Sequence, residues 1–263
     1  MILQSDAVRL RVDPPAATLT LNRPGYGNAL TRSMVSELRE AISDLHLEKR
    51  VRAVILTGAG DDFCVGRDLA ELTPSEDPAI DLGRWGAEAN EFRDLVAALL
   101  ELPKPVIAAV NGPAEAGGAT LALACDAVVA CAEARFGFPE PRRGSVAGVA
   151  APLLAHRVGS GVAARLLMTA TPIDAAEAHR VGVYHEMVAQ DLVWARANEL
   201  AAECAQASPQ AIGLTKRLLY DTVCEQLATQ LSSGAIASAT SQTTDSAREG
   251  VAARQEGREP DWP

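Results

Sequence analysis

The first third of the chain sets short apolar runs against one long amphipathic stretch. Val8 to Val12 alternates apolar and polar positions, and Ala16 to Leu21 does so again after Asp13-Pro14-Pro15. Period-two alternation on both sides of a proline turn predicts a strand pair. Asn22-Arg23-Pro24-Gly25 breaks the second strand. Thr31 stands where an N-cap belongs, and Met34, Leu38, Ala41, Ile42 and Leu45 recur at helical spacing, so a helix is predicted to about Leu47. Arg52 to Thr57 is almost wholly apolar, which predicts a buried strand.

Further on, Ile80 to Leu102 reads as a long helix stopped by Pro103 and Pro105. Val106 to Val110 is a second buried strand that runs into Asn111-Gly112-Pro113, and a helix starts at Gly117-Gly118 and continues through Leu121 and Leu123. Asp126 to Ala130 and Ala134 to Phe138 read as strands, Val149 to Val158 and Gly161 to Leu167 as helices. Pro172-Ile173-Asp174 opens another helix ending near Gly182, and Val183 to Val188 is a short strand. From Leu192 the pattern is nearly all helical, with breaks expected at Ser208-Pro209 and near Ser232 to Gly234, and a polar end from Arg248. Strands mixed with helices early and helices alone late predict an α/β core over residues 1–195 and a helical region over 196–263. There is no tandem repeat, but a strand-turn-helix order recurs at RAVILTGAG and KPVIAAVNG.

Composition narrows the function classes. The 263 residues are 48% hydrophobic and 22% charged, an ordinary globular balance, and aromatics are only 4%, so the core must be built mainly of Ala, Val and Leu. The net charge of −10 disfavours nucleic acid and anionic membrane surfaces as partners. The apolar stretch Pro105 to Cys131 is interrupted by Asn111, Glu115 and Asp126, too broken for a membrane span. The N-terminal residues lack a basic segment followed by an apolar one, so no signal peptide is expected. Five cysteines without a C-x-x-C pair, and four scattered histidines, predict a reducing, cytoplasmic setting with no disulfide framework and no metal site.

Two glycine turns carry the candidate chemistry. Phe63-Cys64-Val65-Gly66-Arg67-Asp68-Leu69 follows the first buried strand, and Asn111 to Ala119, NGPAEAGGA, follows the second. In each, a strand ends, glycine permits a sharp turn and a helix is expected to begin. Helix N-termini present unpaired N–H groups, and two such ends aimed at one point make an oxyanion hole. Taken singly, each is also an ordinary strand-to-helix turn.

Together and in this order the motifs resemble the crotonase family, the enoyl-coenzyme A hydratase/isomerase superfamily. The resemblance rests on LNRPGYGNAL at 21–30, AVILTGAGDDFCVGRDL at 53–69, KPVIAAVNGPAEAGGATLALACD at 104–126, ARFGFPEPRRG at 134–144 and REGVAARQEGREP at 248–260. It implies an α/β fold, a spiral of strand-strand-helix turns with a C-terminal helical trimerisation region, and assembly as a homotrimer or a hexamer made of two trimers. It implies an acyl-coenzyme A thioester substrate, with coenzyme A part of that substrate and no separate cofactor. Arg67 and Gly117 match the oxyanion donors. Arg23, Ala29 and Leu30 match positions near the coenzyme A phosphates, the pantetheine and its entrance. Arg67 also carries a charge at the mouth, and Asp68 beside it is grouped with the coenzyme A contacts; it could cap the next helix or take part in catalysis. Arg254 or Arg258 could reach a neighbouring subunit's ligand.

Hydratases of this family use two glutamates. The later one matches Glu140, in Phe136-Gly137-Phe138-Pro139-Glu140; the earlier position holds Thr120. A threonine hydroxyl can orient water but is a poor base. Moving a double bond needs only one shuttling group, so the resemblance favours isomerase-type chemistry over two-glutamate hydration. Glu115 could replace the missing acid, or it could face solvent or cap the following helix. Arg142 and Arg143 follow Glu140 closely, and a nearby cation would lower its pKa; at least one is expected to turn outward to a salt bridge. Thr73 to Pro78 and Ile80 to Leu102 are expected to shape the acyl pocket. Decarboxylation, ring hydration, carbon–carbon cleavage, thioester hydrolysis and a non-catalytic acyl-coenzyme A scaffold are the alternatives within the same fold.

Overall fold

A computed structural model describes residues 6–72, 78–224 and 226–263. In chain order, β1 (Val8–Asp13) and β2 (Ala16–Leu21) form the expected hairpin, with Val8 opposite Leu21 and Asp13 opposite Ala16. α1 (Arg32–Leu47) follows, capped by the Thr31 hydroxyl, which accepts from the Met34 N–H at 3.2 Å. Its buried stripe is Met34, Val35, Leu38, Ala41, Ile42 and Leu45. Then come β3 (Ala53–Gly58), α2 (Pro78–Glu101), β4 (Val106–Val110), β5 (Ala114–Glu115) and α3 (Gly117–Leu123). β6 (Ala127–Cys131), β7 (Arg135–Gly137), α4 (Ala150–Val158), α5 (Ser160–Thr169), β8 (Ile173–Asp174), α6 (Ala175–Arg180) and β9 (Glu186–Val188) complete the α/β part. The chain ends in α7 (Val193–Ala205), α8 (Pro209–Cys224), α9 (Leu227–Ser241) and α10 (Asp245–Glu256).

The main sheet has the order β1-β2-β3-β4-β6-β9 and is parallel beyond the first hairpin. Its central strands are buried along nearly their whole length, which is why they read as unbroken apolar runs. A small second sheet has the order β5-β7-β8. The chain thus winds as a spiral: β4, β5 and α3 make one turn, and β6, β7 and α4 the next. An isolated bridge between Cys64 and Ala114 extends the second sheet to the segment after β3, so β3, that bridge and α2 complete an earlier turn. α7 packs across β3, β4 and β6, and α9 lies along α2. Among the described residues no helix is long and apolar enough to cross a membrane.

The structure departs from the sequence reading in particular places. After Gly66-Arg67 the chain makes a 3-10 turn, Leu69–Leu72, rather than a helix. Ile173–Asp174 is a short strand, and α6 begins only after Asp174, whose carboxylate accepts from the Glu177 N–H at 2.8 Å. Only Glu186–Val188 of the expected last strand is paired. No break occurs at Ser232 to Gly234, because α9 runs through it. Gly234 is there for packing: a Cβ on it would meet the Gly148 carbonyl, so its bare backbone lets α9 lie against the segment before α4. The polar stretch from Arg248 belongs as far as Glu256 to α10, whose start is capped by the Thr244 hydroxyl.

Gly234→Ala is expected to destabilise the protein by about 1–3 kcal/mol through overpacking. Gly86→Ala, in α2 with nothing within 4 Å of the new methyl group, is expected to be neutral or stabilising. Urea unfolding of both variants checks the contrast.

Candidate active site

The site begins with two asparagines that fasten the loop after β3. Asn28 is wholly buried and adopts a positive φ of 53°, which asparagine tolerates better than most residues. Its carbonyl oxygen accepts from the Arg23 N–H, and its amide donates to the carbonyls of Ala59 (2.9 Å) and Asp62 (2.7 Å). Asn111 accepts from the Gly58 N–H and donates to the Gly60 carbonyl at 2.7 Å. These bonds fix where the chain stands when it reaches Cys64.

There the two glycine turns join. The Cys64 N–H donates to the Pro113 carbonyl at 3.0 Å, and the Cys64 carbonyl accepts from the Glu115 N–H at 2.9 Å. A Cβ on Gly118 would run into the Cys64 carbonyl. Gly66 has φ +99°, and a Cβ on it would lie 2.5 Å from the Ala116 Cβ and 3.3 Å from the Gly117 nitrogen, so the close approach needs glycine. On the other side, the Leu30 N–H donates to the Gly66 carbonyl (2.7 Å) and the Leu30 carbonyl accepts from Asp68 (2.9 Å). In that parallel bridge Leu30 takes both bonds, so the N–H of Arg67 points away from Leu30. Ala116 holds φ +52°, ψ −122°, a strained conformation for a residue with a Cβ, and turns the chain so that Gly117 leads α3. Among the described residues neither the Arg67 nor the Gly117 N–H donates to a backbone acceptor.

A cavity of about 460 Å³ opens beside these groups. Leu30, Arg67, Trp85, Phe92, Gly117, Thr120, Glu140 and Arg143 are in its wall. Glu140 starts the 3-10 turn Glu140–Arg143, and its Oε2 is buried with no hydrogen-bond partner. Burial is the main cause that pushes its carboxyl up to about 7; Arg143 opposes the rise and the charge of Glu115 adds to it. The Arg143 guanidinium is held below its ordinary value, chiefly by burial. Arg142 does turn outward, but to the Thr169 carbonyl and the Thr171 hydroxyl (2.7 Å) rather than to an acid.

Thr120 is 2% exposed and its hydroxyl donates to the Ala116 carbonyl at 3.0 Å, inside its own helix. Glu115 is half-buried on β5, opposite Gly137, and does not line the cavity. Arg23, Ala29 and Asp68 are drawn together: the Arg23 guanidinium donates to the Ala29 carbonyl (2.6 Å), pairs with Asp68 (2.8 Å) and stacks on Tyr26. Asp68 also caps the 3-10 turn by accepting from the Ala70 N–H. This trio stands outside the cavity wall, whereas Leu30 and Arg67 are part of it. Arg254 lines the cavity of its own chain, and Arg258 is engaged by Glu249 and Glu256.

Part of the wall falls in the Ile80 to Leu102 stretch expected to shape the pocket, and part was not anticipated. Residues 73–77 lie outside the described residues, but α2 contributes Arg84, Trp85, Glu88 and Phe92. Ser238 and Ala239 of α9, Gln242 just after it, and Gly250 and Val251 of α10 close the far side. Asn28 sat inside a quoted motif; Glu88 had no local signal. Among the described residues no cluster of three His, Cys, Asp or Glu is placed to hold a metal ion.

The chain is similar to known proteins along nearly its whole length. Residues 15–263 match the family described as Enoyl-CoA hydratase/isomerase. The short-chain-enoyl-CoA hydratase of Clostridium acetobutylicum is 37% identical over 82% of this chain and 82% of its own length. The 1,2-epoxyphenylacetyl-CoA isomerase of Escherichia coli is 34% identical over 84% of each. The crystal structure of an enoyl-CoA hydratase/isomerase from Xanthobacter autotrophicus superposes with a TM-score of 0.88 at 29% identity, over 97% of this chain and 95% of that one.

The raised Glu140 pKa makes a prediction for stability. The folded state binds this proton more tightly than the unfolded chain, so the stabilisation is complete below about 4.5 and is lost as pH rises through about 7. Glu140→Gln, which cannot ionise, is therefore expected to be more stable than the native protein at pH 8, by about 2–3 kcal/mol at most. The gap should close on lowering the pH to 4.5, read by thermal unfolding at each pH.

Proposed function

The chain belongs to the enoyl-CoA hydratase/isomerase family, and on that premise we propose that it isomerises an enoyl-CoA thioester through an enolate held by two backbone N–H groups, with Glu140 as the sole proton carrier. The observation that carries this reading is the buried, unpartnered Oε2 of Glu140 in the same cavity wall as Arg67 and Gly117. A carboxyl with a pKa near 7 is divided between acid and base at neutral pH, which suits a group that takes a proton from one carbon and returns it to another.

The thioester oxygen is proposed to lie between the Arg67 and Gly117 N–H groups. As negative charge gathers on it, each donor can contribute about 3 kcal/mol in a water-poor site. Glu140 removes the proton at C2, the double bond shifts into conjugation, and the same carboxyl delivers the proton at C4. Hydration would need a second group to activate water. Thr120 is poorly suited, because its hydroxyl proton is already donated to Ala116. Glu115 acts on this carboxyl through its charge from outside the wall.

Leu30 and Arg67 would meet the pantetheine arm, while Arg23, Ala29 and Asp68 would shape the outer entrance from their own hydrogen-bonded cluster. Leu214, Leu218 and Leu219 on α8, with Ile236 on α9, are exposed apolar side chains that fit burial against further copies in a homotrimer or hexamer. Free buried Cys64, Cys125 and Cys131 fit a reducing cytoplasm.

Ultraviolet absorbance of 3-enoyl and 2-enoyl esters mixed with the protein tests the reaction. The 3-enoyl ester should gain conjugated absorbance while the 2-enoyl ester keeps its own. Loss of the 2-enoyl absorbance through uptake of water would make hydration the reaction and overturn the single-carboxyl reading. Glu140→Ala should lower kcat by about 10²–10⁴-fold with folding intact; full activity in that variant would remove Glu140 from the mechanism.

A further inference from the structure

Glu88 is a buried charge in the cavity wall that the proposed reaction leaves unused. Its side chain is 11% exposed. One carboxylate oxygen accepts from the Arg32 Nε at 2.5 Å, and the other accepts from the Arg67 guanidinium. Both oxygens are therefore engaged by guanidinium groups, which suits an anchor rather than a proton carrier. The same guanidinium lies over the ring of Trp85, 5.4 Å from its centre, with Arg84 on that ring at 4.1 Å. Arg32, the first residue of α1, is itself fixed: its N–H donates to the Glu71 carboxylate and its guanidinium to the Glu71 carbonyl, each at 2.9 Å. The Arg67 side chain is thus gripped by α2 directly and by α1 through Arg32.

That grip bears on the backbone. The N–H of Arg67 belongs to the peptide plane between Gly66 and Arg67. Among the described residues its backbone bond is the Leu30 N–H on the Gly66 carbonyl, and the next plane is held by the Asp68 N–H on the Leu30 carbonyl. Gly66, at φ +99°, is the residue least able to resist rotation of the first plane. The grip on the Arg67 side chain adds a further restraint.

We infer that Glu88 is a positioning residue: by holding the Arg67 guanidinium it aims the Arg67 N–H at the thioester oxygen, and so couples the placement of α2 to the oxyanion site. The inference rests on the proposed oxyanion role of Arg67 and adds the residue that makes that role effective. A displacement of the donor by about 1 Å would lower the rate by as much as roughly 100-fold, without loss of the coenzyme A contacts.

The test is the infrared carbonyl stretch of butyryl-CoA labelled with ¹³C at the thioester carbon, bound to the native protein, to Glu88→Gln and to Arg67→Met. Arg67→Met breaks the same pair from the other side and keeps the N–H, so the pair is still tested if Glu88→Gln fails to fold. In the native protein the bound ester should absorb at lower wavenumber than the free ester. Either variant should lose half or more of that shift and lower kcat by about 10–100-fold; in Glu88→Gln, which leaves the Arg67 side chain in place, KM should change less than about threefold, and Glu88→Asp should restore part of the shift and of kcat. A full carbonyl shift and full kcat in a folded variant would overturn the positioning role while leaving the oxyanion reading standing. No shift in the native protein would overturn the oxyanion reading itself, and this inference with it.

Discussion

The structure turns on the contact between two backbones at Gly66 and Gly117. Side chains are absent there by necessity, since a methyl group on Gly66 would collide with Ala116. The contact is a continuation of sheet structure: the Cys64–Ala114 bridge joins the segment after β3 to the strand that opens the second turn of the spiral. The buried β3 and β4 set the spacing of the two turns, and Asn28 and Asn111 tie down the loop that would otherwise let them drift. A pair of N–H groups left without backbone acceptors is the product of this construction. The surrounding hydrogen bonds sustain it and offset the local strain at Ala116.

The second element is a carboxyl kept apart from partners. Glu140 opens a tight 3-10 turn: its own carbonyl accepts from Ser145, and Gly144 takes the left-handed conformation that ends the turn. The side chain is left facing an apolar cavity, with Arg143 nearby but not bonded to it by any hydrogen bond among the described residues. Burial outweighs that cation, so the carboxyl rises rather than falls. The concern that an adjacent arginine would weaken this base is answered by direction: Arg142 leaves for Thr169 and Thr171, and Arg143 acts only through space.

The fold was legible wherever local pattern and tertiary packing agree. The buried strands, α1 with its Thr31 cap and the glycine turns all follow from periodicity and turn chemistry, and the family resemblance joins them into a spiral. The misreadings occur where packing overrides local preference. Ser232 to Gly234 resembles a helix break, yet α9 continues because Gly148 receives the bare Gly234 backbone. The chain after Arg67 resembles a helix start, yet only a 3-10 turn forms, with Asp68 engaged by Arg23. In the site, Glu140, Arg67, Gly117, Thr120 and Leu30 are brought to one cavity, and Glu115, Arg23, Ala29 and Asp68 are not. Trp85 and Glu88 lie in the stretch expected to shape the pocket, but their contacts with Arg67 and the walls from α9 and α10 were illegible, because only the folded path of the chain brings together residues far apart in sequence.

The central claim is that two backbone donors and one carboxyl enolise a thioester, whatever acyl group follows. Exchange of the C2 hydrogens of butyryl-CoA in deuterated water, followed by nuclear magnetic resonance with catalytic protein, asks this without any double bond to move or hydrate. The account predicts protein-dependent exchange at C2, lost in Glu140→Gln. Absence of exchange with a protein that binds the ester would contradict it.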